Sequence, residues 1–156
     1  MVEHLVWSTP SPTEAAFTRL FDAPPEQVFA AFTRPDHVTH WMLGPDGWSM
    51  SACEMDLRPG GTWYLAWIRP DGTTLDMHGA YLEVTPPTRT VQTESWGDPW
   101  PTTTNTTTFT REGDRTRVTH VTRYPTPEAR DAASTPSLRA GAEASYTRLA
   151  GYLATL

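Results

Sequence analysis

The chain reads as a single α+β domain in which a curved antiparallel sheet of about seven strands wraps a long C-terminal helix. Three observations predict this. A length of 156 residues suits one hydrophobic core and leaves little room for a second. The element order is one strand, two short helices, six strands and a terminal helix, which closes simply if the sheet grips that helix and the short helices plug one end. Seven Trp, five Tyr and five Phe supply an interior of large rigid rings, well suited to shaping a concave surface.

The elements follow in order. Residues 1–13 carry Pro10 and Pro12 among Ser and Thr and read as an irregular tail, so the domain proper is expected over 14–156. Glu14 to Phe21 reads as a strand. Asp22-Ala-Pro-Pro-Glu26 reads as a helix start, with Asp22 as cap, Pro24 and Pro25 in the first turn and Glu26 facing the positive end of the dipole. Thr33-Arg-Pro35-Asp36 repeats the pattern for a second helix, whose Val38, Trp41 and Met42 share one face. From Trp48 to Tyr124 short stretches of β-branched and aromatic residues alternate with turn signals such as Arg58-Pro-Gly-Gly61 and Pro70-Asp-Gly72, giving six strands of a meander. Thr126-Pro-Glu128 opens a last helical segment, broken at Pro136. Beyond it Leu138, Ala142, Ser145 or Tyr146, Leu149, Tyr152, Leu153 and Leu156 form a one-sided stripe.

Composition excludes several classes of function. The formal net charge is −6, and the twelve basic residues are all Arg, scattered without a run that would neutralise a phosphate backbone, so nucleic acid is not an expected partner. No stretch nears the ~20 apolar residues of a membrane span. A lone Cys53 and an N-terminus without a basic start and apolar run point to the cytoplasm. His37 and His40, three apart without a third ligand, do not make a metal site. Cys53, among apolar neighbours, reads as an inert thiol. Asp56 and Arg58 beside Gly60 and Gly61 read as a turn ordered by a charge-assisted hydrogen bond. Glu54, Asp76, Glu83 and Glu94 are strand carboxylates with no pair that demonstrably converges. No nucleophile elbow, phosphate loop, His-Glu-x-x-His or Cys-x-x-Cys occurs, and no cofactor is expected.

A run of local signatures occurs in order: Asp22-Ala-Pro, Phe32-Thr-Arg-Pro, His40-Trp41, Gly44-Pro45, Asp56-Leu-Arg-Pro-Gly-Gly61, Gly79-x-Tyr-x-Glu-Val84, Pro86-Pro87 and Gly141-x-Glu-Ala-Ser-Tyr-x-Arg-Leu149. Together they resemble the START-like SRPBCC superfamily, in its heat-shock-ATPase-activator-like branch, over nearly the whole chain from about Ala15. The resemblance implies a helix-grip fold with a hydrophobic pocket between sheet and C-terminal helix. It implies no single activity, since relatives include lipid carriers, polyketide cyclases, chaperone regulators and proteins that sequester reactive natural products. It further implies that His120 replaces an apolar residue and that Ala142 stands where Met is common.

Strand alternation assigns the expected lining. Trp63, Leu65 and Trp67 oppose Thr62, Tyr64 and Ala66; Val118, His120, Thr122 and Tyr124 oppose Arg115, Arg117 and Arg123; Cys53, Met55 and Leu57 point inward. Residues 75–84 and 91–96 have apolar side chains on both parities, so their inward face stays open, with Met77, Tyr81 and Trp96 as the chosen lining. Trp41, Ala142 and Tyr146 join from the helices. For each single residue, plain core packing competes with ligand contact, and for His120 a hydrogen-bonded buried histidine competes with a functional one.

Three functions follow. The first is binding of a small hydrophobic, aromatic or polyketide-like molecule for carriage, sequestration or self-resistance. The second is a cofactor-independent cyclase, aromatase or dehydratase with His120 as acid or base, aided by Tyr124 or Tyr146. The third is a chaperone-associated regulator. Ligand identity and oligomeric state are not readable from these residues.

Overall fold

The computed structural model describes residues 3–156. Eight strands form one antiparallel sheet in the order β1-β2-β8-β7-β6-β5-β4-β3. They are β1 (Val6–Ser11), β2 (Glu14–Phe21), β3 (Ser49–Met55), β4 (Thr62–Ile68), β5 (Thr74–Thr85), β6 (Arg89–Glu94), β7 (Thr103–Glu112) and β8 (Arg115–Arg123). Helices α1 (Pro25–Thr33) and α2 (Pro35–Trp41) connect β2 to β3, and α3 (Pro127–Ala133) and α4 (Pro136–Leu153) follow β8. This is the α+β, helix-grip arrangement expected of the sequence.

The expected irregular tail is corrected in part. Residues 1–2 lie outside the described residues, but Val6–Ser11 forms an edge strand on β2, with Trp7 opposite Phe17 and their rings 4.7 Å apart. The prolines obscured it. Pairing is interrupted between Ser8 and Ser11, around Pro10, and an irregular edge strand is where a sheet tolerates residues that cannot donate.

The expected cap of α1 also moves. Asp22 is exposed and does not cap; Pro24 occupies the cap position, its carbonyl accepting from the N–H groups of Gln27 and Val28. Two consecutive prolines shift the helix start downstream of the acid. The later caps form as expected in type, Thr126 accepting from the Ala129 amide and Thr135 from that of Leu138. Each cap is worth about 1 kcal/mol.

The C-terminal half of α4 buries Ser145, Tyr146, Leu149 and Leu153 against β2, β7, β8 and α1. The Arg19 guanidinium donates to the Tyr146 carbonyl at 2.6 Å, and Arg148 donates to the carbonyls of Trp41 and Gly44. Tyr152 is held between His37, a hydrogen-bond partner, and His40, which stacks on it. The N-terminal half of α4 is held from the β1 side, where Glu143 accepts from the Leu5 amide at 3.1 Å and Arg139 lies over the Trp7 ring, while Leu138, on the same stripe, is 45% exposed. A second apolar cluster forms over β3, β4 and β5, around Trp63, Leu65, Trp67, Met77 and Tyr81, and shares Met42, Leu57 and Val84 with the first.

Candidate functional site

The pairing of β6, β7 and β8 sets side chains of one sheet face in rows. Thr90, Thr107 and His120 share a row that continues to Phe17 on β2; Gln92, Asn105 and Thr122 share the next, reached from β5 by Tyr81; Glu94 and Thr103 begin a third. The same parity carries Phe109 and Val118 into the core beside Leu149 of α4, so this is the face the helix grips. Beyond the Phe109–Val118 pair it is polar over β6 to β8, and it is apolar over β3 to β5.

The polar half is one connected network. Thr107 Oγ1 lies 3.0 Å from His120 Nδ1, and Thr122 Oγ1 lies 3.4 Å from His120 Nε2. Thr122 donates its hydroxyl proton to Asn105 Oδ1 at 2.9 Å, leaving it only an acceptor towards the histidine. The network therefore assigns the Nε2–H tautomer, with Nδ1 accepting from Thr107. Asn105 Nδ2 in turn donates to Glu94 Oε1 at 3.0 Å, and Trp96 Nε1 donates to Glu94 Oε2 at 2.9 Å. The donors run in one direction, from His120 to the Glu94 carboxylate.

Burial sets the protonation of these groups. It lowers His120 to a pKa of about 4, so the imidazole is neutral at physiological pH. Burial likewise raises Glu94, against the lowering effect of Trp96 and Asn105. Tyr124 is raised by burial and then by the Glu94 charge. Cys53 is raised to about 11, in keeping with an inert thiol. The hydroxyls of Tyr81 and Thr103 are buried on this face without a hydrogen-bond partner, a costly state unless something fills it.

The apolar half is built by β4. Trp63 Nε1 donates to the Thr93 carbonyl at 3.1 Å, its indole crossing β5 over Gly79, where a Cβ would stand 1.8 Å from that oxygen. Trp67 Nε1 donates to the Met42 carbonyl at 2.8 Å and its ring stacks on Trp96 at 6.0 Å between centroids. Cys53, Met55 and Leu57 pack against this cluster, as alternation expects.

The structure brings together most of the expected lining. Trp63, Leu65, Trp67, Met77 and Tyr81 form the apolar cluster, Trp96 covers its edge, and His120 stacks on Phe17 at 5.0 Å. Arg115 and Arg123 are exposed, and Arg117 pairs with Glu112, on the opposite face of β8. Ala142 is partly buried on α4. Trp41, Val118 and Tyr146 are placed differently: all three are packed core, Trp41 bound to the Ala31 carbonyl and Tyr146 enclosed by Phe17, Phe21, Phe32 and Trp41. They lie where the C-terminal half of α4 packs on the sheet. Sequence reasoning missed Phe17, Gln92, Glu94, Thr103, Asn105 and Thr107. Phe109, the one apolar residue of its strand, marks their parity on β7.

A family model for activator of Hsp90 ATPase homolog 1-like protein matches residues 22–154. The chain belongs to this family, within the SRPBCC superfamily. Among solved structures, this AHSA1-like chain is similar to a protein from Rhodobacter sphaeroides, at 30% identity and a TM-score of 0.90, over 97% of this chain and 99% of that one. A protein from Nitrosomonas europaea is 25% identical with a TM-score of 0.83, over 95% and 98%. CalU16 from Micromonospora echinospora shares the fold, at 18% identity and a TM-score of 0.64, over 97% and 85%. A search of curated proteins gives no match. No helix among the described residues is long and apolar enough to cross a membrane, and no group of residues there could hold a metal ion.

Proposed function

We propose that this AHSA1-like protein binds a small hydrophobic molecule, aromatic or polyketide-like, between its sheet and the N-terminal half of α4, as a carrier or sequestering protein. The observation that carries this reading is the half-apolar, half-polar face. Five buried large side chains (Trp63, Leu65, Trp67, Met77 and Tyr81) adjoin a hydrogen-bonded network in which Tyr81 and Thr103 still have hydroxyls to satisfy. His120 and Glu94, the two ends of that network, are both partly accessible. Exposed Leu138 and Trp96 offer an apolar rim.

Binding is better supported than turnover. An acid or base needs a ring nitrogen free to meet the substrate, and both nitrogens of His120 are taken by threonines. A lone cysteine is in keeping with a reducing, cytosolic setting. Titration of the protein with anthracene- and naphthacene-type probes tests the reading: tight binding should quench Trp63 and Trp67 emission, and Trp63→Phe should remove part of that quenching. Unchanged emission across a diverse probe set contradicts it.

A further inference from the structure

Glu94 sets a conflict that the protein does not resolve by itself. Among the described residues no arginine or histidine pairs with it. Its carboxylate is partly buried, and both oxygens receive donors, Asn105 on one and Trp96 on the other. Those donors, with the Thr122 hydroxyl behind Asn105, favour the ionised form. A partly buried anion without a counter-charge is costly. A carboxylate has about four acceptor sites, so after these two bonds it can still accept from a ligand.

The surroundings are aromatic. Trp96, oriented by its bond to Glu94, stacks at 15° on Trp67, which is itself fixed by the Met42 carbonyl. Indole faces beside a carboxylate are the chemistry that recognises an organic ammonium, the rings through their negative faces and the acid through a charge-assisted hydrogen bond.

We infer that Glu94, with Trp67 and Trp96, forms a subsite for a protonated amine carried by the aromatic ligand. This rests on the binding reading above and adds the polar end of the molecule. The apolar rings then lie towards Leu65 and Met77, and the amine supplies the counter-charge that Glu94 lacks.

The experiment compares two probes of one shape, 9-anthracenemethanol and 9-(aminomethyl)anthracene, by calorimetric titration at neutral pH. The intact protein should bind the amine about 10-fold or more tighter than the alcohol, as a cation–π contact plus a charged hydrogen bond would give. Glu94→Gln should abolish that preference, so that the two probes bind alike. Equal affinities in the intact protein, with both probes bound, overturn the amine subsite and leave the hydrophobic site standing. Binding of neither probe overturns both. The intact-protein comparison decides the matter even if the variant fails to fold.

Discussion

His120 and Thr107 face each other directly across the β7–β8 pair, with the Thr107 hydroxyl 3.0 Å from Nδ1. Phe17 stacks on the ring and Thr122 holds Nε2, so the groups around the imidazole are neutral. A charge on this ring is therefore paid for only by unfolding. The pKa falls from 6.5 to about 4 on folding. Above pH 6.5 both states are neutral and the histidine is without cost. As pH falls from 6.5 towards 4 the unfolded chain takes up the proton first, and stability declines by up to about 3 kcal/mol. Urea titrations from pH 7 to 4 should show that decline, and His120→Gln should flatten its part of the slope. An identical slope in the variant contradicts the buried neutral ring.

Gly79 offers a steric test of the Trp63 anchor. A methyl group there would meet the Thr93 carbonyl at 1.8 Å and Trp63 Nε1 at 2.8 Å, neither able to withdraw without breaking the β5–β6 edge. Gly79→Ala should cost roughly 3 kcal/mol or more, or prevent folding. A melting temperature within a degree of the parent would show that the indole does not cross at this point.

Regular elements were legible where one period dominated. β2 carries Phe17, Arg19 and Phe21 on one face, and the prolines and threonines before α3 and α4 are unambiguous starts. β5 was not legible, for a specific reason: its pairing is irregular between Tyr81 and Glu83. Tyr81 and Val84 both reach the core from opposite parities across that bulge. β7 failed differently. Thr103 to Thr108 is Thr except for Asn105, so Phe109 alone marks the inward parity, and the register with β8 is what turns Thr103, Asn105 and Thr107 the same way. The polar half of the site lay hidden in that run. β1 was masked by Pro10 and Pro12, which an irregular edge accommodates.

Cys53 should be slow to alkylate. Burial raises its thiol to about 11, which leaves about 100-fold less thiolate at pH 8 than in an ordinary cysteine. Iodoacetamide labelling followed by mass spectrometry should be slow in the folded protein and rapid in urea. Fast labelling without denaturant would contradict the buried position.

Ala142 is half-buried on the stripe of α4, between exposed Leu138 and fully buried Leu149. If the ligand lies where proposed, Ala142→Met should leave stability equal or higher, the longer side chain filling part of the space that the ligand takes. The variant should lose affinity for four-ring probes more than for two-ring ones. Strong destabilisation, with the size ranking of ligands unchanged, would show that Ala142 is tightly packed.

The central claim is that the ligand lies between the sheet and the N-terminal half of α4. A competing location is the shallow groove of about 570 Å³ on the outer side of α4, lined by Asp46, Ala140, Glu143, Ala144, Thr147 and Arg148. Backbone and indole amide shifts recorded by two-dimensional NMR during titration with an anthracene probe separate the two. The account predicts the largest shifts at the Trp63, Trp67 and Trp96 indoles, along residues 90–94 and 103–107, and at His120 and Ala142. Shifts confined to Asp46 and the outer face of α4, with those indoles unmoved, would contradict it.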